Sequence, residues 1–230
     1  MRPAGPDTDA SPIDATRSVL RDNARMSKRL AELAANRLDA GARLLRRYAD
    51  GPATADRTLV LGGVRSGKSR HAELLLADRR DVVYVATGVP ATAGDPEWAA
   101  RVAALQADRP PTWRTVETAD LASSLREAEG PLLVDCLGTW VSRVLDDVGA
   151  WDRRRGWEHR LDERLTDFLD AWAQVTVPVV AVSNEVGSGV VPGTASGRVF
   201  RDVLGALNTS VAAGSESVLL VVAGRTLALN

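Results

Sequence analysis

From Arg57 onward, strand-like runs, the central ones continuously apolar, alternate with amphipathic stretches. The runs are "TLVLGG", "DVVYVATG", "PTWRTVET", "GPLLVDCLGTW", "VPVVAVSN" and "SVLLVVAGRTLALN", the last giving one or two strands. Between them "GKSRHAELLLADR", "DPEWAARVAALQADR", "DLASSLREAE", "WEHRLDERLTDFLDAWAQV" and "SGRVFRDVLGALNTSVAAGS" carry helical spacing. Asp95 is placed to cap the second of these helices, with Pro96 at its first position. Strands that are apolar throughout have both faces covered. Alternating strands and helices then predict an α/β fold with a mostly parallel sheet.

The first 56 residues follow another pattern. Residues 1 to about 14 contain Pro3, Gly5, Pro6 and Pro12 among several Asp, and read as a disordered start. From Thr16 to about Asp50, Leu20, Met26, Leu30, Leu33, Leu38, Leu44, Leu45 and Tyr48 recur at loosely helical spacing. This predicts one long amphipathic helix or two shorter ones, packing on the main domain or on a neighbouring subunit. Asp50 to Asp56, "DGPATAD", is a linker. The expected plan is an extension over 1–56 and a nucleotide-binding domain over 57–230.

Composition narrows the partners. With 29 basic and 30 acidic residues the net charge is -1, so nothing global points to nucleic acid or an anionic membrane surface. No apolar run approaches the roughly 18 residues of a membrane span, and the N-terminus lacks the apolar centre of a secretory signal. A single cysteine, Cys136, excludes an internal disulfide and suits a reduced, cytoplasmic protein.

The chemistry begins at Gly62-Gly63-Val64-Arg65-Ser66-Gly67-Lys68-Ser69, which fills every fixed position of G-x-x-x-x-G-K-[ST]. Gly62 and Gly67 are expected to permit backbone angles that a side chain forbids. Successive N–H groups can then form an anion nest at a helix N-terminus. Lys68 can reach the β- and γ-phosphates, and the Ser69 hydroxyl can ligate Mg²⁺. Arg65 is a further candidate phosphate contact. In "PLLVDC", Asp135 falls at the C-terminal end of a buried strand, where P-loop proteins hold Mg²⁺. The motif indicates a bound nucleoside triphosphate and names no reaction.

Longer segments do. "GGVRSGKSRHAE", "VVYVATG", "ARVAALQADRPPTWRTVE", "LLVDCLGTWVS", "VSNEVGSGVVP", "GRVFRDVLGALN" and "VLLVVAG" resemble, in order and spacing, the bifunctional adenosylcobinamide kinase / adenosylcobinamide-phosphate guanylyltransferase family of cobalamin biosynthesis. The likeness runs from about Thr58 to the C-terminus. It implies a RecA-like P-loop fold assembled as a homotrimer. It implies phosphorylation of the aminopropanol hydroxyl of a corrinoid, using ATP or GTP, and then GMP transfer from GTP through a guanylylated histidine. By position, the resemblance assigns Gly62 to Ser69, Ala86 and Thr87 to the nucleotide site, with Glu117 and Asp135 as its acids. Lys68 and Asp135 are the expected catalytic groups. Asn184 and Glu185 follow a strand, where α/β sheets place ligand-binding groups, and are candidates for the corrinoid or metal side. Asn184 could equally be a loop cap. Glu185 and Glu117 are the candidate general bases.

One position departs from the family. Arg101 and the Arg109-Pro110 pair anchor the segment that should hold the nucleophilic histidine, and between them stand Ala104, Leu105 and Gln106. The chain has two histidines, His71 and His159, and neither lies there. Attack on the α-phosphate of GTP needs a nucleophile such as a neutral imidazole nitrogen, which these side chains lack. Three readings follow: a kinase alone, transfer by His71 or without a covalent intermediate, or a degenerate protein. The intact phosphate loop, Asp135 and Glu117 oppose the last, and the chemistry favours the first. A nucleotide-binding module without turnover, or a kinase of another small alcohol, are the remaining alternatives. The "NEVGSGVVP" and "RPPTW" segments speak against another alcohol.

Overall fold

The structure, a computed structural model, describes residues 56–88 and 110–229. The expected extension up to Ala55, the expected helix Asp95–Arg109 and the positions Ala104 to Gln106 lie outside the described residues.

Strand β1, Arg57–Gly62, runs into the phosphate loop, and helix α1, Lys68–Leu75, leaves it. Strands β2, Val83–Ala86, and β3, Arg114–Glu117, follow. Then come α2, Leu121–Arg126, and β4, Leu132–Asp135. Helices α3, Leu137–Val148, and α4, Trp157–Gln174, precede β5, Val179–Asn184. Helix α5, Ala195–Ala213, leads to the hairpin of β6, Ser217–Val222, and β7, Arg225–Ala228.

The seven strands form one sheet in the order β3-β2-β4-β5-β1-β6-β7. Every pairing is parallel except β6 with β7. On one face, Ala72 and Leu76 from the α1 side pack with Val60, Tyr84, Leu133 and Val182. Helices α2 to α5 pack against one another and cover the other face. There Phe168 of α4, fully buried, lies between Trp140 of α3 and Trp172, with ring centroids 4.8 and 6.2 Å away. Both faces of the inner strands are therefore dry, as their unbroken apolar runs require.

Two elements depart from expectation. Helix α3 is absent from the expected elements: only one residue, Cys136, separates it from β4, and a cysteine is an unusual helix cap. Its periodicity is nonetheless present in Leu137, Trp140, Val141, Val144, Leu145 and Val148, all buried. Helix α1 is shorter than "GKSRHAELLLADR". After Leu75 the chain closes into tight turns, with the N–H of Ala77 and Arg79 donating to the carbonyls of Leu74 and Leu76.

Candidate functional site

The site lies along the carboxyl ends of the strands. Register aligns Glu117 of β3 with Ala86 of β2, and Ala86 with Asp135 of β4. It also aligns Gly62 of β1 with Asn184 of β5 and Val221 of β6. Strand β5 is thus inserted between the strand of the phosphate loop and the strand that ends in Asp135.

The loop from Gly62 to Ser69 is shaped by left-handed backbone at two points, Arg65 (φ 56°) and Gly67 (φ 93°). Such alternation turns successive N–H groups inward. Gly67 therefore serves the expected purpose. Gly62 does not, since its φ is not left-handed. It is required by space: a Cβ there would meet Ser66 Oγ at 2.4 Å and the Val221 carbonyl at 2.7 Å. Ser66 is buried beneath the loop, while Gly63, Val64 and Arg65 are exposed. Lys68 and Ser69, half-buried, open α1. The Lys68 ammonium donates to the Gly63 carbonyl at 3.1 Å, spanning the concavity of the loop. Two further strand ends brace it. The Glu185 N–H donates to the Gly62 carbonyl at 3.1 Å, and the Gly224 N–H to the Ser66 carbonyl at 2.8 Å.

Asp135 is half-buried and accepts a hydrogen bond on Oδ2 from the Tyr84 hydroxyl at 2.8 Å. Tyr84 has no place among the expected site residues, because a tyrosine within an apolar strand reads as core. Beside it, Cys136 caps α3, its sulfur accepting from the Thr139 N–H at 3.4 Å. Burial, reinforced by the Asp135 carboxylate, pushes the Cys136 thiol up, which disfavours the thiolate.

Several expected site residues are placed differently. Thr87 does not line an open surface; it is fully buried. Its hydroxyl donates to the Cys136 carbonyl at 2.7 Å and accepts from the Cys136 N–H at 3.0 Å. It ties the exit of β2 to the β4–α3 junction. Arg143 of α3 holds the same exit, donating to the carbonyls of Thr87 and Gly88 at 3.2 and 3.1 Å. The Glu185 carboxylate turns into its own loop and accepts the N–H of Gly187 at 2.6 Å and of Ser188 at 3.2 Å. It caps that loop and is not presented as a base. The Asn184 side chain faces the Cys136 thiol at 3.6 Å, and its carbonyl accepts from Asn208 of α5 at 3.0 Å. Glu117 is exposed on an edge strand four places from β1, roughly 19 Å at ordinary strand spacing. The fold does not bring it to the phosphate loop. Of the histidines, His71 is half-buried on α1, and His159 is 79% exposed beside Glu163.

The donor set suits magnesium. Ser69 offers a hydroxyl and Asp135 a carboxylate, both hard oxygens. Among the described residues no cluster of three or more His, Cys, Asp or Glu could hold a metal by itself. Magnesium needs no such cage, since phosphates and waters complete its shell.

A phosphate loop between the first strand and first helix of a parallel sheet, one strand away from an acidic strand end, places the chain among the P-loop NTPases. Residues 58–229 match the family model described as cobinamide kinase / cobinamide phosphate guanyltransferase, and the chain belongs to that family. It is 38% identical over 180 residues to the bifunctional adenosylcobalamin biosynthesis protein CobU of Salmonella typhimurium, across 72% of this chain and 95% of that one. It is 41% identical over 181 residues to the bifunctional adenosylcobalamin biosynthesis protein CobP of Pseudomonas aeruginosa, across 76% and 97%. Among solved structures, an ATPase of the type III secretion system of pathogenic bacteria is similar at a TM-score of 0.42 and 13% identity, across 72% of this chain and 51% of that one.

Proposed function

We propose that this protein is an adenosylcobinamide kinase that has lost the covalent route to guanylyl transfer. The observation that carries the reading is a contrast within the chain. Every fixed residue of the phosphate loop is present, from Gly62 to Ser69. Ala104 and Leu105 stand where the family resemblance puts the nucleophilic histidine. Phosphoryl transfer is positioning and charge neutralisation, and needs no histidine.

In this reading the N–H groups from Gly63 to Ser69 cradle the β- and γ-phosphates of ATP or GTP. Lys68 gives up its bond to the Gly63 carbonyl and turns to the same phosphates. Ser69 and Asp135 would hold magnesium, which when bound would neutralise charge on the phosphates. Arg65 lies exposed on the loop and can reach an incoming anion. The corrinoid hydroxyl approaches over the carboxyl ends of β4 and β5, beside Asn184. Residues 57–230 form the catalytic unit, supported by a family match that starts at residue 58, and 1–56 an extension. A cytoplasmic homotrimer is the assembly that the family resemblance supports. Light scattering on the purified protein tests the trimer.

The function is tested in two reactions. With MgATP and adenosylcobinamide, mass spectrometry should find the phosphorylated corrinoid. No product with ATP or GTP, from protein that still binds nucleotide, would sink the kinase. With GTP alone, intact mass should show no GMP adduct. A stable adduct would mean that another residue, His71 first, has become the nucleophile.

A further inference from the structure

We propose that Tyr84 is a positioning residue for Asp135, and that its hydroxyl sets how tightly the site holds a divalent cation. The proposal rests on the reading of Asp135 as the carboxylate on the metal side. Parallel register pairs Tyr84 with Leu133, two residues before Asp135. Side chains two apart on a strand share a face, so Tyr84 and Asp135 project to the same side of the sheet. The offset along the strand is one that a tyrosine can span.

The phenol reaches Asp135 Oδ2 at 2.8 Å. Tyr84 is 4% exposed, in the cluster of Val60, Val82, Trp113, Leu133 and Val182. A ring packed on all sides cannot swing, so the hydroxyl is a fixed donor at the strand end. Without a donor on Oδ2, Asp135 would be free to change rotamer. With it, one carboxylate oxygen is tied to the core and the other is left for the site. Outer partners of metal-ligating carboxylates commonly change metal affinity by roughly 10- to 100-fold. Phenylalanine would satisfy the packing of this position, so the hydroxyl is the part that needs a functional account.

The test is Mn²⁺ binding, followed by electron paramagnetic resonance, to the full chain saturated with a non-hydrolysable ATP analogue. Tyr84→Phe should weaken Mn²⁺ about tenfold, while affinity for the analogue in excess chelator stays unchanged. Asp135→Asn should weaken it at least as much, and the double variant should be no worse than Asp135→Asn. A Tyr84→Phe affinity within twofold of the parent, with Asp135→Asn impaired, overturns the positioning role and leaves Asp135 standing. Additive losses in the double variant overturn it too. Unchanged Mn²⁺ binding in Asp135→Asn removes the reading of Asp135 itself, and the proposal with it. Thermal melting of Tyr84→Phe near the parent value keeps the comparison within folded protein. A large drop in melting together with weakened analogue binding in chelator would show a structural role instead.

Discussion

The N–H of Gly224 donates to the carbonyl of Ser66 at 2.8 Å, joining the last hairpin of the chain to the phosphate loop. Ala223 and Gly224 form the two-residue turn between β6 and β7, with φ of 49° and 73°, as a tight hairpin requires. The C-terminal hairpin therefore buttresses the site. Gly224→Pro removes the N–H and, with φ locked at about −65°, cannot hold the left-handed turn at φ 73°, so it should weaken ATP-analogue binding by at least about fivefold relative to Gly224→Ala. Gly224→Ala retains the N–H and meets no atom within 4 Å, and carries only the strain of a left-handed φ, about 1 kcal/mol. Equal affinities by calorimetry would show that the brace does not matter.

Space at Gly62 gives a second prediction. Gly62→Ala drives a methyl group into Ser66 Oγ and the Val221 carbonyl. Overpacking of this kind costs about 1–3 kcal/mol. Both urea stability and nucleotide affinity should fall. Gly63→Ala, next door, meets nothing within 4 Å and should change stability by under about 0.5 kcal/mol. Similar losses in the two variants would contradict the packing account.

Lys68 is the third. Its ammonium bonds only an exposed loop carbonyl among the described residues, so Lys68→Ala should leave the melting temperature nearly unchanged. Phosphoryl transfer should fall by at least about 100-fold, the usual cost of losing one group aimed at transition-state charge. Near-normal turnover would overturn the assignment of the phosphate loop.

The fourth concerns pH. Arg57, 3% exposed, donates to the Glu216 carboxylate and, at 2.9 Å, to the Ala173 carbonyl. Burial pushes the Glu216 carboxyl up, but the hydrogen bonds from Arg57 outweigh it and hold the group below its ordinary value of 4.5. A carboxyl held low in the fold stabilises above its unfolded range, and that stabilisation is lost as pH falls through the folded one. Glu216→Gln should therefore cost about 0.5–1 kcal/mol near neutral pH, since solvent reaches the partly exposed carboxylate and screens the pair. Urea denaturation should show the gap closing as pH drops below 4.5. A gap of constant size would assign the loss to packing.

Much of the fold is legible in the chain because its signals are local. Continuous apolar runs mark the cores of the central strands, and the loop motif marks the join of β1 to α1. Helix α3 escaped because no turn residue separates it from β4. The cap is Cys136, whose sulfur does what a serine oxygen usually does. The stripe from Leu137 to Val148, closed by Gly149 in left-handed backbone, was the signal that could have found it.

The sequence by itself determined that the phosphate-loop motif is complete from Gly62 to Ser69, that the central strands are buried on both faces, and that no histidine lies between Arg101 and Arg109. Each follows from residue identity at fixed spacing. Only the tertiary structure decided which groups point into the site. Thr87 is buried, Glu185 caps its own loop, Glu117 stands on a distant edge, and Tyr84 reaches Asp135. The reason is physical. A side chain's direction is set by strand register and crossover packing, and these join residues such as 84 and 135 that no local pattern connects.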